Sequence, residues 1–93
     1  MPNEVEDKDE WLVALGAAIA DRRLSINITQ QELADLSGVH RTYISDIERG
    51  TRNVTVTTAK KIATALGIAT SKLFSNADKK LNSTPVRKVS PRK

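Results

Sequence analysis

The stretch TQQELADLSGVHRTYISDIERG, Thr29 to Gly50, confines the chain more than any other. Thr29-Gln30-Gln31-Glu32 has the spacing of a capping box. In it a hydroxyl and a carboxylate satisfy free amides at a helix start reciprocally. Gly38 suits a positive φ at that helix's end. A further helix then fits between about His40 and Arg49, stopped by Gly50. The chain must therefore place two short helices around a Gly-Val break. Leu33, Ala34 and Leu36 are read as the apolar side of the first of them.

The flanks extend this helical pattern. From Trp11, the positions Leu12, Leu15, Ile19 and Arg23 recur every three or four residues and share one face. Asn27 can supply a left-handed residue to end that helix. Thr55 can cap a fourth helix, with Val56, Ala59, Ile62, Ala63 and Leu66 on one face and Gly67 at its end. A short fifth helix is read from about Thr70 to Ala77. Phe, Trp and Tyr occur once each in 93 residues, so the core rests on Leu, Ile, Val and Ala. That mix also favours helices.

Charge is unevenly placed. The net value is +4. Residues 1–10 hold five acids and one Lys and are read as an acidic arm. Residues 79–93 hold six Lys or Arg and no acid, and are read as a basic tail, disordered when free. Between them, 11–78 reads as one near-neutral domain. A basic tail suits a polyanionic partner or simply a solvated terminus. The chain has no Cys and a single His, hence no disulfide frame and no all-protein cluster for zinc. No nucleophile–base pair, phosphate loop or cofactor motif is present, so the sequence points away from an enzyme and calls for no cofactor. An acidic start and a longest apolar stretch of ten residues, WLVALGAAIA, point to a soluble, cytoplasmic chain rather than a membrane one.

The third helix has a divided surface. At about 100° per residue, Arg41, Thr42, Ser45, Asp46 and Arg49 share an arc of about 140°. Tyr43, Ile44 and Ile47 lie opposite, with Glu48 at the border. The polar arc offers a fork for guanine, a methyl for thymine and a short Ser that permits close approach. By itself such an arc is also an ordinary solvated helix face.

The segments LGAAIADRRLS, ITQQELADLSGV, RTYISDIERG and ATALGIATSKLF, in that order, resemble the Cro/cI-type helix-turn-helix family, also called the XRE family. Within it, RTYISDIERGTRN looks most like the small controller proteins of restriction–modification systems. The resemblance spans about Leu15 to Phe74. It implies an all-α, compact five-helix, lambda-repressor-like DNA-binding domain with the motif at about 30–49. This chain departs from the family where Asn27 replaces a frequent Gly, and where Ala59 and Arg22 each replace a frequent Leu. Arg22 is read as pointing to solvent or to phosphate.

The resemblance also assigns roles. Arg41, Thr42 and Ser45 are expected at base edges of double-stranded DNA. Asp46 is placed with them, either accepting from cytosine N4 or holding Arg49 or Thr42. Gln30, Tyr43, Arg49, Arg52 and Asn53 are expected near the sugar–phosphate backbone or groove edge. His40 is read as a phosphate contact or a neighbour of the helix cap. Arg23 and Glu48 are expected to form a partly buried structural ion pair. A homodimer is implied, with Ile68, Leu73 and Phe74 either at its interface or finishing the monomer core. The function implied is a sequence-specific transcriptional regulator. A protein-bridging module, or an antitoxin or immunity protein, would use the same fold. No ligand-binding domain for a small molecule is evident.

Overall fold

The computed structural model describes residues 9–82. The acidic arm before Asp9 and most of the basic tail, from residue 83 on, lie outside the described residues. The described chain forms five helices: α1 Glu10–Ser25, α2 Gln30–Ser37, α3 Arg41–Glu48, α4 Val56–Ala65 and α5 Thr70–Leu81. No strand occurs among the described residues. None of these helices is long and apolar enough to cross a membrane.

Helix boundaries follow local hydrogen bonding. Asp9 caps α1, its carboxylate accepting from the Trp11 and Leu12 amides at 2.9 and 3.3 Å. Asp9 and Glu10 are thus part of the first helix and its cap rather than of a free arm. Asn27 closes α1 with a φ of 62°. The capping box at α2 is complete: the Glu32 amide donates to Thr29 Oγ1 at 3.0 Å, and the Thr29 amide to Glu32 Oε1 at 2.8 Å. Gly38, at φ 76°, turns the chain between α2 and α3. The Thr55 hydroxyl accepts from the Thr58 amide at the start of α4.

The core joins all five helices. Ile19, Leu33, Ile44, Ile62 and Leu73 are fully buried, with Leu15, Ile47, Ala59 and Leu66 nearly so. α1 packs against α5 and α3, and α2 against α3 and α4. Leu73 is therefore core, not part of a surface open to a second chain. Trp11 and Phe74 close one edge of the core in a T-shaped pair, with ring centroids 5.8 Å apart.

Four details differ from the sequence reading. Leu36 is 63% exposed and Val56 73% exposed. Leu33 and Ala34 alone bring α2 onto the core, which leaves Leu36 on the rim between α2 and α4. Val56 is the first residue of α4, ahead of the turn that meets the core. α5 continues past Ala77 to Leu81, because half-buried Leu81 still packs on the core and Lys80 pairs with Asp21 of α1. Lys79 and Lys80 occupy its last turn, where positive charge suits the helix dipole. Arg22 is half-buried. Its Nε donates to the Leu66 carbonyl at 2.9 Å, so α1 supplies a partner for the C-terminal end of α4.

Candidate nucleic-acid interface

α3 is anchored by its apolar side. Ile44 and Ile47 are buried, so the opposite arc is forced outward. Arg41, Thr42 and Arg49 are exposed, and Ser45 and Asp46 are half-buried. His40 occupies the N-cap position of α3, exposed and without a side-chain cap bond. Arg41 and Thr42 thus project at the N-terminal end of a helix narrow enough for the major groove.

The C-terminal end of the arc is a bonded cluster. Asp46 Oδ1 accepts from Arg49 Nη2, and Asp46 Oδ2 accepts from Arg52 Nη2 at 2.9 Å. Arg49 Nη1 also donates to Ser45 Oγ at 2.8 Å. The Arg52 guanidinium lies 4.9 Å over the Tyr43 ring, a cation–π arrangement. The Tyr43 hydroxyl reaches the Asn53 carbonyl at 3.4 Å, and Asn53 itself is exposed. The hydrogen bond from Arg52, with the positive charges of Arg49 and Arg52, holds the Asp46 carboxyl below its ordinary value. Asp46 therefore stays ionised at neutral pH, with an arginine on each oxygen. In the protein alone, Asp46 thus holds Arg49 and, beyond it, Arg52.

Behind this surface, three helices meet at a polar corner. Arg23 donates to Glu48 through Nε at 2.7 Å and Nη2 at 3.0 Å, a bidentate pair. Arg23 Nη1 also donates to the Ile28 carbonyl at 2.9 Å. Gln30 Nε2 donates to Glu48 Oε1 at 2.9 Å. Gln30, expected at the groove edge, is half-buried, and its amide completes this corner. The side chains of Arg23 and Glu48 are only 12% and 7% exposed. The Glu48 hydrogen bond raises the Arg23 pKa above its already high value. The end of α1, the start of α2 and the end of α3 are thereby fixed to one another.

Gly16 completes the support, and the sequence reading passed over it. A Cβ at Gly16 would fall inside contact distance of the Ile47 carbonyl oxygen and 2.8 Å from that of Glu48. The backbone of α1 thus rests directly on the C-terminal end of α3. The available signal was an isolated Gly inside the helical run WLVALGAAIA, where only a packing reason offsets its poor helix propensity.

Ile68 and Phe74 are half-buried against the core and retain some surface near the α4–α5 turn and on α5. Among the described residues, no group of three or more His, Cys, Asp or Glu is placed to hold a metal ion.

This arrangement agrees with what known proteins show. The helix-turn-helix family matches residues 19–73. The control protein C.BamHI of Bacillus amyloliquefaciens is 52% identical over 54 residues, covering 57% of this chain and 67% of that protein. The crystal structure of the restriction–modification controller protein C.AhdI from Aeromonas hydrophila is 40% identical, with a TM-score of 0.66 over 67% of this chain and 94% of that one. The controller protein C.Esp1396I, solved as a tetramer on its natural 35 base-pair operator, is 34% identical, with a TM-score of 0.71 over 76% of this chain and 93% of that one. The chain belongs to the helix-turn-helix family, of the XRE type, and its relatives there include restriction–modification controller proteins.

Proposed function

We propose that this chain is a cytoplasmic, sequence-specific transcriptional regulator that binds a pseudo-palindromic operator as a homodimer and controls a restriction–modification system. The observation that carries this reading is the outward arc of α3. Its Arg41, Thr42 and Ser45 lie beside Arg49 and Arg52, on the fold of a controller that was solved on its operator. Arg41, Thr42 and Ser45 read base edges, while Tyr43, Arg49, Arg52 and Asn53 border the backbone with His40. One such helix reads few base pairs, and two-fold pairing supplies the rest. Ile68 and Phe74 are the dimer candidates that keep surface to offer. The six basic residues of 79–93 add sequence-independent attraction to phosphate.

A footprint and a sedimentation measurement test the architecture. A dimer should protect two half-sites about one helical turn apart, roughly 10 base pairs centre to centre. A monomer on one asymmetric site overturns it. The controller role requires the operator to lie beside genes for a methyltransferase and an endonuclease. Arg41→Ala tests the reading face. It should cost about 1–3 kcal/mol on the operator and relax preference at one base position, a guanine. The same loss on every sequence would make Arg41 a phosphate clamp instead.

A further inference from the structure

We infer that Asp46 is a specificity-determining residue of the DNA surface: it holds Arg49 and Arg52 in place and suppresses binding to DNA of the wrong sequence. The inference rests on the DNA-reading role proposed for α3.

Three observations support it. Asp46 is the one acid on the outward arc of α3, and it accepts from both arginines at the C-terminal end of that arc. Each arginine has a second anchor, Ser45 Oγ for Arg49 and the Tyr43 ring for Arg52. The segment carrying Arg52 is itself tied to α3, since the Thr51 amide and hydroxyl both donate to the Asp46 carbonyl at 3.1 Å. The two guanidiniums are therefore fixed relative to α3, rather than free to sweep on long side chains.

A guanidinium carries five N–H donors. Asp46 takes one from each arginine, and Ser45 takes another from Arg49. Donors remain for phosphate, but only at the positions that the clamp allows. When α3 is seated in the groove of its operator, the backbone passes a fixed place and the clamped arginines meet it. On other sequences α3 is not seated in that way. The arginines would then have to leave Asp46 to follow the backbone, and the exposed carboxylate would repel it. The cost of keeping Asp46 thus falls mainly on non-specific binding.

The test compares wild type with Asp46→Asn, which keeps size and shape and removes the charge. Two duplexes of equal length serve as probes, one selected from a randomised pool by the wild-type chain and one of random sequence. Asp46→Asn should raise affinity for the random duplex about five- to tenfold. It should steepen the dependence of log K on log salt there by about 1–2 per protomer, as two arginines become free to meet phosphate. Affinity for the selected duplex should change less than about threefold, so the ratio between the two falls. Asp46→Ser should act in the same direction, and thermal unfolding should show both variants folded. A purely structural role would move the melting temperature and leave the ratio and the salt slope alone. Equal gains on both duplexes, or no gain on the random one, overturn the inference. A wild-type chain that selects no sequence from the pool overturns the DNA-reading role itself, and this inference with it.

Discussion

Gly16→Ala should destabilise the domain by about 2 kcal/mol or more, even though alanine is the better helix former. The propensity gain is about 1 kcal/mol. Against it stands a methyl group forced onto the Ile47 and Glu48 carbonyls. Overpacking a tight site costs typically about 1–3 kcal/mol, and this site belongs at the top of that range or above. The obstacle is backbone, which cannot rotate aside as a side chain would. For a domain of this size the net loss corresponds to roughly 8–16 °C in melting temperature. α3 must retreat from α1, and Ile44, Ile47 and Glu48 retreat with it. Operator affinity should therefore fall even at temperatures where the variant remains folded. Gly38→Ala provides the contrast. Nothing lies within 4 Å of a Cβ there, so only the left-handed backbone resists, at about 1–2 kcal/mol. A Gly16→Ala chain that melts at or above the wild-type temperature would show that α1 and α3 are not in close contact.

Sequence legibility followed the range of the interactions involved. Thr29 with Glu32, Thr55, Asn27 and Gly38 were readable because a cap or a positive φ is decided within three or four residues. The burial of Leu33, Ile44, Ile62 and Ala63 was readable because helical period and apolar character agree there. Leu36 and Val56 show the limit of that argument. Periodicity defines a stripe on a helix, but not how far along it the neighbouring helices reach. Arg22 finds its partner 44 residues away at Leu66, and Gly16 meets α3 across the core. The first contact leaves no local pattern, and the second leaves only an isolated Gly in a helical run. The outward arc of α3 was legible from its angles alone. That Asp46 can hold Arg49 was legible from their i, i+3 spacing; that it also takes Arg52 depends on the path of the chain after Gly50, which no helical spacing describes.

Glu48→Ala should cost about 3 kcal/mol and should weaken operator binding as well as stability. Removing one partner of a buried pair is far more damaging than the net worth of the pair, typically about 3–5 kcal/mol, because a buried charge is left behind. The low end applies here, since both side chains keep a little contact with solvent and Arg23 retains its bond to the Ile28 carbonyl. Arg23 cannot relieve the loss by giving up its proton, as a lysine could. Gln30 also loses the acceptor for its amide. Because the corner joins α1, α2 and α3, its failure loosens α3 against the other two helices. Thermal unfolding of Glu48→Ala, Arg23→Ala and the double variant measures the coupling, expected within about 0.5–3 kcal/mol. The double variant should lose less than the two single losses together, since deleting both charges leaves neither stranded. Strictly additive losses would show that the two residues act independently. Glu48→Gln separates charge from shape: it keeps an acceptor for Arg23 or Gln30 and removes the ionic contribution. Its stability should fall between wild type and Glu48→Ala. Its operator affinity should follow the same order, because the orientation of α3 depends on how much of the corner survives.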